Sequence, residues 1–266
     1  MAAVAAQATP VLAVAARTDP GLKRAVNEDA LLAADPCFLV ADGMGGHEAG
    51  DRASRAAIAA FGEAFTRPGP ASLEEIEEAL SAARAAVRAI SARTQRGAGC
   101  TLTGVIRVVH EEVPYWYVLN VGDSRVYLQR GGELVQLTQD HSLREALRGT
   151  NETEAAATPR NVITRALGSE DDRHDAWLLP VETGSRLLVC SDGLTIELAD
   201  EELGAVLTAD GAPGAAADEL LRRARAAGGR DNITLIVLDV VSGGAEQPFV
   251  SAELDDTLEQ TRPARR

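Results

Sequence analysis

Val40-Ala41-Asp42-Gly43-Met44-Gly45-Gly46-His47 ends the apolar run Cys37–Ala41 with a carboxylate and three glycines. Such a run closing in Asp-Gly reads as a strand that stops at a tight turn. Asp hydrogen-bonds its own backbone, and Gly accepts positive φ without steric cost. Four further stretches place carboxylates in the same way: Arg24-Ala25-Val26-Asn27-Glu28-Asp29, Val121-Gly122-Asp123-Ser124-Arg125, Cys190-Ser191-Asp192-Gly193-Leu194-Thr195 and Gly229-Arg230-Asp231-Asn232-Ile233-Thr234. Any one of them alone is an ordinary turn. Together, each beside an apolar strand, they aim several carboxylates at a shared sheet edge.

Working outward, strand-like composition recurs at Val11–Ala16, Cys37–Ala41, Cys100–Val109, Tyr115–Val121, Arg125–Gln129, Leu134–Leu137, Arg186–Cys190 and Ile233–Val240. Gly131-Gly132 reads as a hairpin turn between two of them. Ser72 and Glu75 form a capping box that opens a helix, whose apolar face is Leu73, Ile76, Leu80, Val87 and Ile90. Further helices are expected at 49–65 and 215–227. Strands, helices and strands again, without regular βαβ alternation, predict an α+β fold of largely antiparallel sheets with helices packed outside. Leu143–Arg160 is polar and lacks a period, and reads as a flap or small helical insertion. The expected division is a single domain over 1–241, with a flap at about 141–161, and a disordered polar tail over 242–266.

Composition narrows the function. A formal charge of -14 argues against a nucleic-acid partner, since such binding rests on Lys and Arg neutralising phosphates. No apolar stretch reaches 18 residues, so no membrane anchoring is expected. Three dispersed cysteines, Cys37, Cys100 and Cys190, fit neither a disulfide framework nor a zinc site and point to the cytoplasm. Converging carboxylates repel unless some take up protons or a cation joins them. Oxygen-only ligands suit Mg²⁺ or Mn²⁺, and a glycine after the ligand lets the Gly43 carbonyl approach an ion.

With these five motifs in this order, the chain resembles the bacterial branch of the metal-dependent protein phosphatase 2C family from about Arg17 to Val240. Leu137-Thr138-Gln139-Asp140-His141-Ser142 and Asn161-Val162-Ile163-Thr164-Arg165-Ala166-Leu167-Gly168 add to the likeness. The resemblance implies a four-layer α-β-β-α sandwich, two antiparallel sheets flanked by helix pairs, with a binuclear Mn²⁺ or Mg²⁺ centre at one end. It implies that Asp42 bridges the ions and that the Gly43 carbonyl ligates one, with Asp192 and Asp231 on the other. Glu28 and Asp29 would hold metal-bound waters or ligate weakly, and Asp123 would join Asp192 at a third, looser site. Arg24 would grip the substrate phosphate with its planar guanidinium.

The implied activity is hydrolysis of phosphoserine and phosphothreonine by direct attack of a metal-bridging hydroxide. Its partners would be phosphorylated proteins, namely the substrates of a serine/threonine kinase and the kinase itself, and nothing demands more than a monomer. Two departures stand out. Met44 occupies the place of a histidine found in animal relatives, leaving His47 as the general-acid candidate. Ala157-Thr158-Pro159 replaces a His-Pro common before the Arg-Asn of the flap. His141 is expected to orient the flap, and His110 and His174 to face solvent. A pseudophosphatase is disfavoured because every ligand position is filled. A small-molecule phosphohydrolase would be separated by its substrates.

Overall fold

The computed structural model describes residues 9–45, 48–95, 97–159, 162–209 and 211–245. His47, Arg160, Asn161 and most of the proposed tail lie outside the described residues. The chain opens with β1 (Val11–Asp19), β2 (Asp29–Ala34) and β3 (Cys37–Met44), followed by α1 (Glu48–Ala64) and α2 (Leu73–Ser91). Next come β4 (Gly99–Cys100), β5 (Leu102–His110), β6 (Val113–Val121), β7 (Arg125–Arg130) and β8 (Glu133–Gln136). Two short helices, α3 (Leu143–Leu147) and α4 (Glu152–Ala157), precede β9 (Asp175–Pro180) and β10 (Arg186–Cys190). The last elements are α5 (Asp192–Thr195), α6 (Asp200–Thr208), α7 (Pro213–Ala227) and β11 (Ile233–Ser242).

Two antiparallel sheets result, ordered β1-β11-β10-β7-β8 and β2-β3-β5-β6-β9, with β4 pairing the end of β3. The strand period sorts the side chains into layers. Along β3, Phe38 and Val40 enter the core between the sheets, while Cys37, Leu39 and Ala41 face the layer of α1 and α2. Along β11, Ile236, Leu238 and Val240 enter the same central core, while Ile233, Leu235 and Val237 pack with α6 and α7. Both faces of both sheets are therefore covered, which is the expected four-layer sandwich. Each such buried Val, Leu or Ile contributes roughly 1.5–3 kcal/mol.

The capping box is present at α2: Glu75 N–H donates to Ser72 Oγ at 3.2 Å, and Ser72 N–H donates to Glu75 Oε2 at 2.8 Å. Ile76, Leu80 and Val87 are buried as expected, but Leu73, on the first turn, is 54% exposed. Gly131 and Gly132 turn between β7 and β8 with φ of 56° and 90°, as a tight hairpin demands. The polar segment after Ser142 is a small helical insertion, α3 and α4. His110 is exposed, but His174 is half-buried. Its Nδ1 lies 2.9 Å from the Arg84 guanidinium and its Nε2 3.2 Å from the Tyr117 hydroxyl, which ties α2 to the sheet. At the C-terminal side β11 runs to Ser242, and Ala245 still pairs with the Val181–Thr183 backbone. The folded part thus reaches beyond the expected boundary at 241. Among the described residues, no helix is long and apolar enough to cross a membrane.

Candidate metal centre

The strand ends deliver the carboxylates. Asp29 opens β2 and stands directly opposite Asp42 of β3 in the antiparallel register. Asp123 lies in the short link between β6 and β7, Asp192 is the first residue after the β10–Ser191 segment, and Asp231 precedes β11. Asp42 feels the charges of Asp29, Asp192, Asp123 and Asp231. Arg24 feels those of Asp231, Glu28 and Asp42. Every sequence-predicted site residue among the described ones therefore meets at one end of the sandwich.

Backbone and hydroxyl contacts hold each acid in place. Asp42 N–H donates to Thr101 Oγ1 at 2.9 Å, Thr101 N–H donates to the Asp42 carbonyl, and the Thr101 and Ser124 hydroxyls lie 2.8 Å apart. Position 43 admits only glycine, because a Cβ there would run into the carbonyls of Gly50 in α1 and of Glu28. Ser191 Oγ donates to Asp29 Oδ2 at 2.8 Å and accepts from Thr234 N–H at 3.0 Å. Asn232 secures the Pro20–Glu28 loop. Its amide donates to the carbonyls of Pro20 and Val26, and its Oδ1 accepts from Glu28 N–H at 2.8 Å. Arg24 Nη2 donates to Asp231 Oδ2 at 2.7 Å. Thr101, Ser191 and Asn232 carry no role in the sequence reading. Their signal is a polar residue inside or beside an apolar strand, where an unpaired hydroxyl or amide would be costly.

The acids are starved of compensating charge. Asp29 and Asp123 are buried, and Asp42 and Asp192 half-buried. Desolvation, reinforced by the neighbouring carboxylates, pushes Asp42 and Asp123 well above the ordinary carboxylate range. Desolvation likewise raises Asp29 to about 7, and Asp192 to about 6 with the charge of Asp231 adding to it. Asp29 Oδ1, Asp123 Oδ1 and Asp192 Oδ1 are shielded from solvent and meet no hydrogen-bond donor. Orphaned buried oxygens of this kind ask for a cation. Among the described residues no three His, Cys, Asp or Glu side chains converge closely enough to hold one ion by themselves. An oxygen-only donor set suits Mg²⁺ or Mn²⁺ better than zinc, and Mg²⁺ keeps several waters beside few protein ligands.

A polar cavity of about 450 Å³ opens beside Asp123 and Asp192, walled by the Ser142–Arg148 side of the insertion and by Thr195–Glu202. Between the lining residues Asp140 and Ser142, His141 is buried: Nδ1 accepts from Gly122 N–H at 3.1 Å, and Nε2 stands 3.0 Å from Asp175 Oδ2. His141 O accepts from Thr164 N–H, so this residue joins the two ends of the insertion next to Asp123. The cysteines take no part. Burial pushes Cys190 up to about 12 and Cys37 and Cys100 higher still, which makes them poor nucleophiles at neutral pH.

The model of the protein phosphatase 2C family matches residues 23–231. The serine/threonine protein phosphatase PstP of Mycobacterium tuberculosis is 36% identical over 270 residues, covering 95% of this chain. The chain spans about half, 51%, of that relative's length. The serine/threonine phosphatase stp of Listeria monocytogenes is 37% identical over 240 residues, 84% of this chain and 94% of its own. The crystal structure of the PstP catalytic domain in complex with two manganese ions superposes with a TM-score of 0.78 at 35% identity, over 88% of this chain and all of that one. Motif order, sandwich topology and these likenesses agree, and the chain belongs to the protein phosphatase 2C family.

Proposed function

We propose that this chain is a metal-dependent protein serine/threonine phosphatase. The observation that carries the reading is the group of orphaned oxygens on Asp29, Asp123 and Asp192 gathered around Asp42. Asp42, the Gly43 carbonyl, Asp192 and Asp231 are the residues that would hold two Mn²⁺ or Mg²⁺ ions, with Glu28 and Asp29 supporting and Asp123 available to a third. Bound there, divalent ions acidify water and offset phosphate charge, which is the chemistry that phosphomonoester hydrolysis needs.

The chain's own groups supply the rest. Arg24, half-exposed beside Asp231, offers guanidinium N–H groups to phosphate oxygens. Asp29 and Asp192 give up their protons near neutral pH, so the site gains negative charge where the ions bind. The polar cavity beside Asp123 and Asp192 has room for residues flanking the phosphorylated side chain. A serine or threonine leaving group needs a proton, and His47 remains our candidate donor. The proposed substrates are phosphoproteins made by a serine/threonine kinase, and the kinase itself, with the enzyme acting as a cytoplasmic monomer.

The test is hydrolysis of para-nitrophenyl phosphate and of phosphothreonine peptides by purified protein with Mn²⁺. Activity should vanish in excess chelator and in Asp192→Ala. Full activity under chelation sinks the proposal, and turnover of nucleotides or sugar phosphates in preference to phosphopeptides redirects it to small molecules.

A further inference from the structure

Asp192 and Asp231 belong to different segments, and something must fix how far apart their carboxylates stand. On the strand side Ser191 N–H donates to the Thr234 carbonyl at 2.9 Å, and Thr234 N–H donates back to Ser191 Oγ at 3.0 Å. Between the segments the backbones touch, since a Cβ on Gly193 would collide with the Asn232 carbonyl. A further tie is on the outer side, at Glu197, just past α5. Its Oε1 accepts from the backbone N–H of Arg230 at 2.8 Å and from Arg230 Nε at 3.0 Å, and its Oε2 accepts from Arg230 Nη2 at 2.9 Å. The Glu197 side chain is wholly shielded from solvent while the Arg230 side chain is 62% exposed. Gly228 packs against the same carboxylate: a Cβ there would sit 3.1 Å from Glu197 Oε2. Arg230 is the residue before Asp231, so Glu197 grips the ligand-bearing loop by its main chain.

We propose that Glu197 and Arg230 are a positioning pair that sets the separation of the Asp192 and Asp231 carboxylates, so that metal affinity depends on an ion pair that touches no metal. The inference rests on the proposed ligand roles of those two aspartates. A surface ion pair alone contributes little to stability. This one has another lever: partners outside the coordination shell that orient ligands typically change metal affinity by 10–100-fold.

Isothermal titration of chelator-stripped protein with Mn²⁺ tests it. Glu197→Ala, which loses both the ion pair and the main-chain acceptor, should weaken at least one Mn²⁺ dissociation constant by roughly tenfold. Arg230→Ala keeps the main-chain hydrogen bond and should lose about threefold, less than the roughly 10–100-fold typical of losing a whole ligand-orienting partner. It alters only an exposed side chain, so it folds even if Glu197→Ala does not. In both variants KM for para-nitrophenyl phosphate at saturating Mn²⁺ should stay at the wild-type value. Unchanged Mn²⁺ affinity in folded Arg230→Ala and Glu197→Ala overturns the proposal. So does a lower Tm of the stripped protein without an affinity change, which would mark the pair as merely structural. Wild-type protein that binds no Mn²⁺ overturns the phosphatase reading, and the pair's role with it.

Discussion

The β10–β11 ladder handles charge differently at its two ends. Where β10 begins, Arg186 Nε and Nη2 grip Asp239 of β11 at 2.6 and 2.8 Å, and Nη1 and Nη2 donate to the carbonyls of Leu207 and Gly211. Where β10 ends, Asp192 and Asp231 join Asp29, Asp42 and Asp123, and Arg24 bonds to Asp231 alone among them. At the first end the charges neutralise one another inside the fold. At the second they are left for an ion, at a cost in stability that a purely structural protein would have no reason to bear. The difference locates function without reference to any motif, and each end can be altered to see whether its role holds.

The largest effect should come from the ion-seeking end. Asp42→Asn and Asp192→Ala should each lower phosphatase activity with Mn²⁺ by more than about a thousandfold, the scale on which catalytic groups acting as a unit are lost. Asp42→Asn should at the same time raise the Tm of chelator-stripped protein by a few degrees, roughly 2–4 °C for each kcal/mol of relieved repulsion in a domain of this size. Calorimetry and a para-nitrophenyl phosphate assay on one preparation read both. A stripped Asp42→Asn protein less stable than wild type would break the contrast between the ends.

At the paired end the signs reverse. Arg186→Met leaves Asp239 largely buried without its cation and should cost about 3 kcal/mol, at the lower end of the range for breaking one half of a buried pair. Activity per folded molecule should stay unchanged. Arg186→Met with Asp239→Leu should recover most of the stability, because the pair can be replaced by apolar packing. Denaturant titration of the three proteins measures this, and a double variant no better than the single would deny the pairing.

How far the two ends were legible in the sequence follows from what each kind of information depends on. Asp-Gly at the close of an apolar run is local chemistry, so Asp42 and Asp192 could be placed at strand ends from a few residues. Strand β2, Asp-Ala-Leu-Leu-Ala-Ala, has no β-branched residue and was not foreseen; its register along β3 makes it a strand. β9 is short and ends in proline, and α6 carries Gly204 in its middle, so neither announces itself. Leu73 fits the apolar stripe of α2 but falls on its first turn, beyond the reach of the sheet. The Glu197–Arg230 and Arg186–Asp239 pairs join residues distant in sequence, and no local pattern marks them.

The pH dependence of stability should expose the protons held at the ion-seeking end. Asp29 at about 7 and Asp192 at about 6 lie above their ordinary value of 3.8. Between roughly pH 4 and 7 the folded, ion-free protein therefore holds protons that the unfolded chain has released, and its stability falls as pH rises through that window. Mn²⁺ displaces those protons, so with saturating Mn²⁺ the fall should disappear and stability should stay level over most of the same window. Thermal melts at pH 5, 6, 7 and 8 with and without Mn²⁺ read the slopes, and parallel curves would show that the acids and the ion do not compete.

The smallest effect falls on Ser191, which touches a proposed ligand and a strand at once. Ser191→Ala removes the donor to Asp29 Oδ2 and the acceptor of Thr234 N–H. A hydrogen bond to a charged acceptor contributes about 1.5–3 kcal/mol, so the ion-free protein should lose about that much. The hydroxyl stabilises the ionised form of Asp29, so its loss should move that carboxyl further up. Mn²⁺ must then displace a more tightly held proton. The expected penalty on Mn²⁺ affinity is severalfold at pH 6 and smaller at pH 8, where the proton has largely left even without the serine. An equal penalty at both pH values would mean that Ser191 acts on the strand geometry alone and that Asp29 is not part of the ion-binding set.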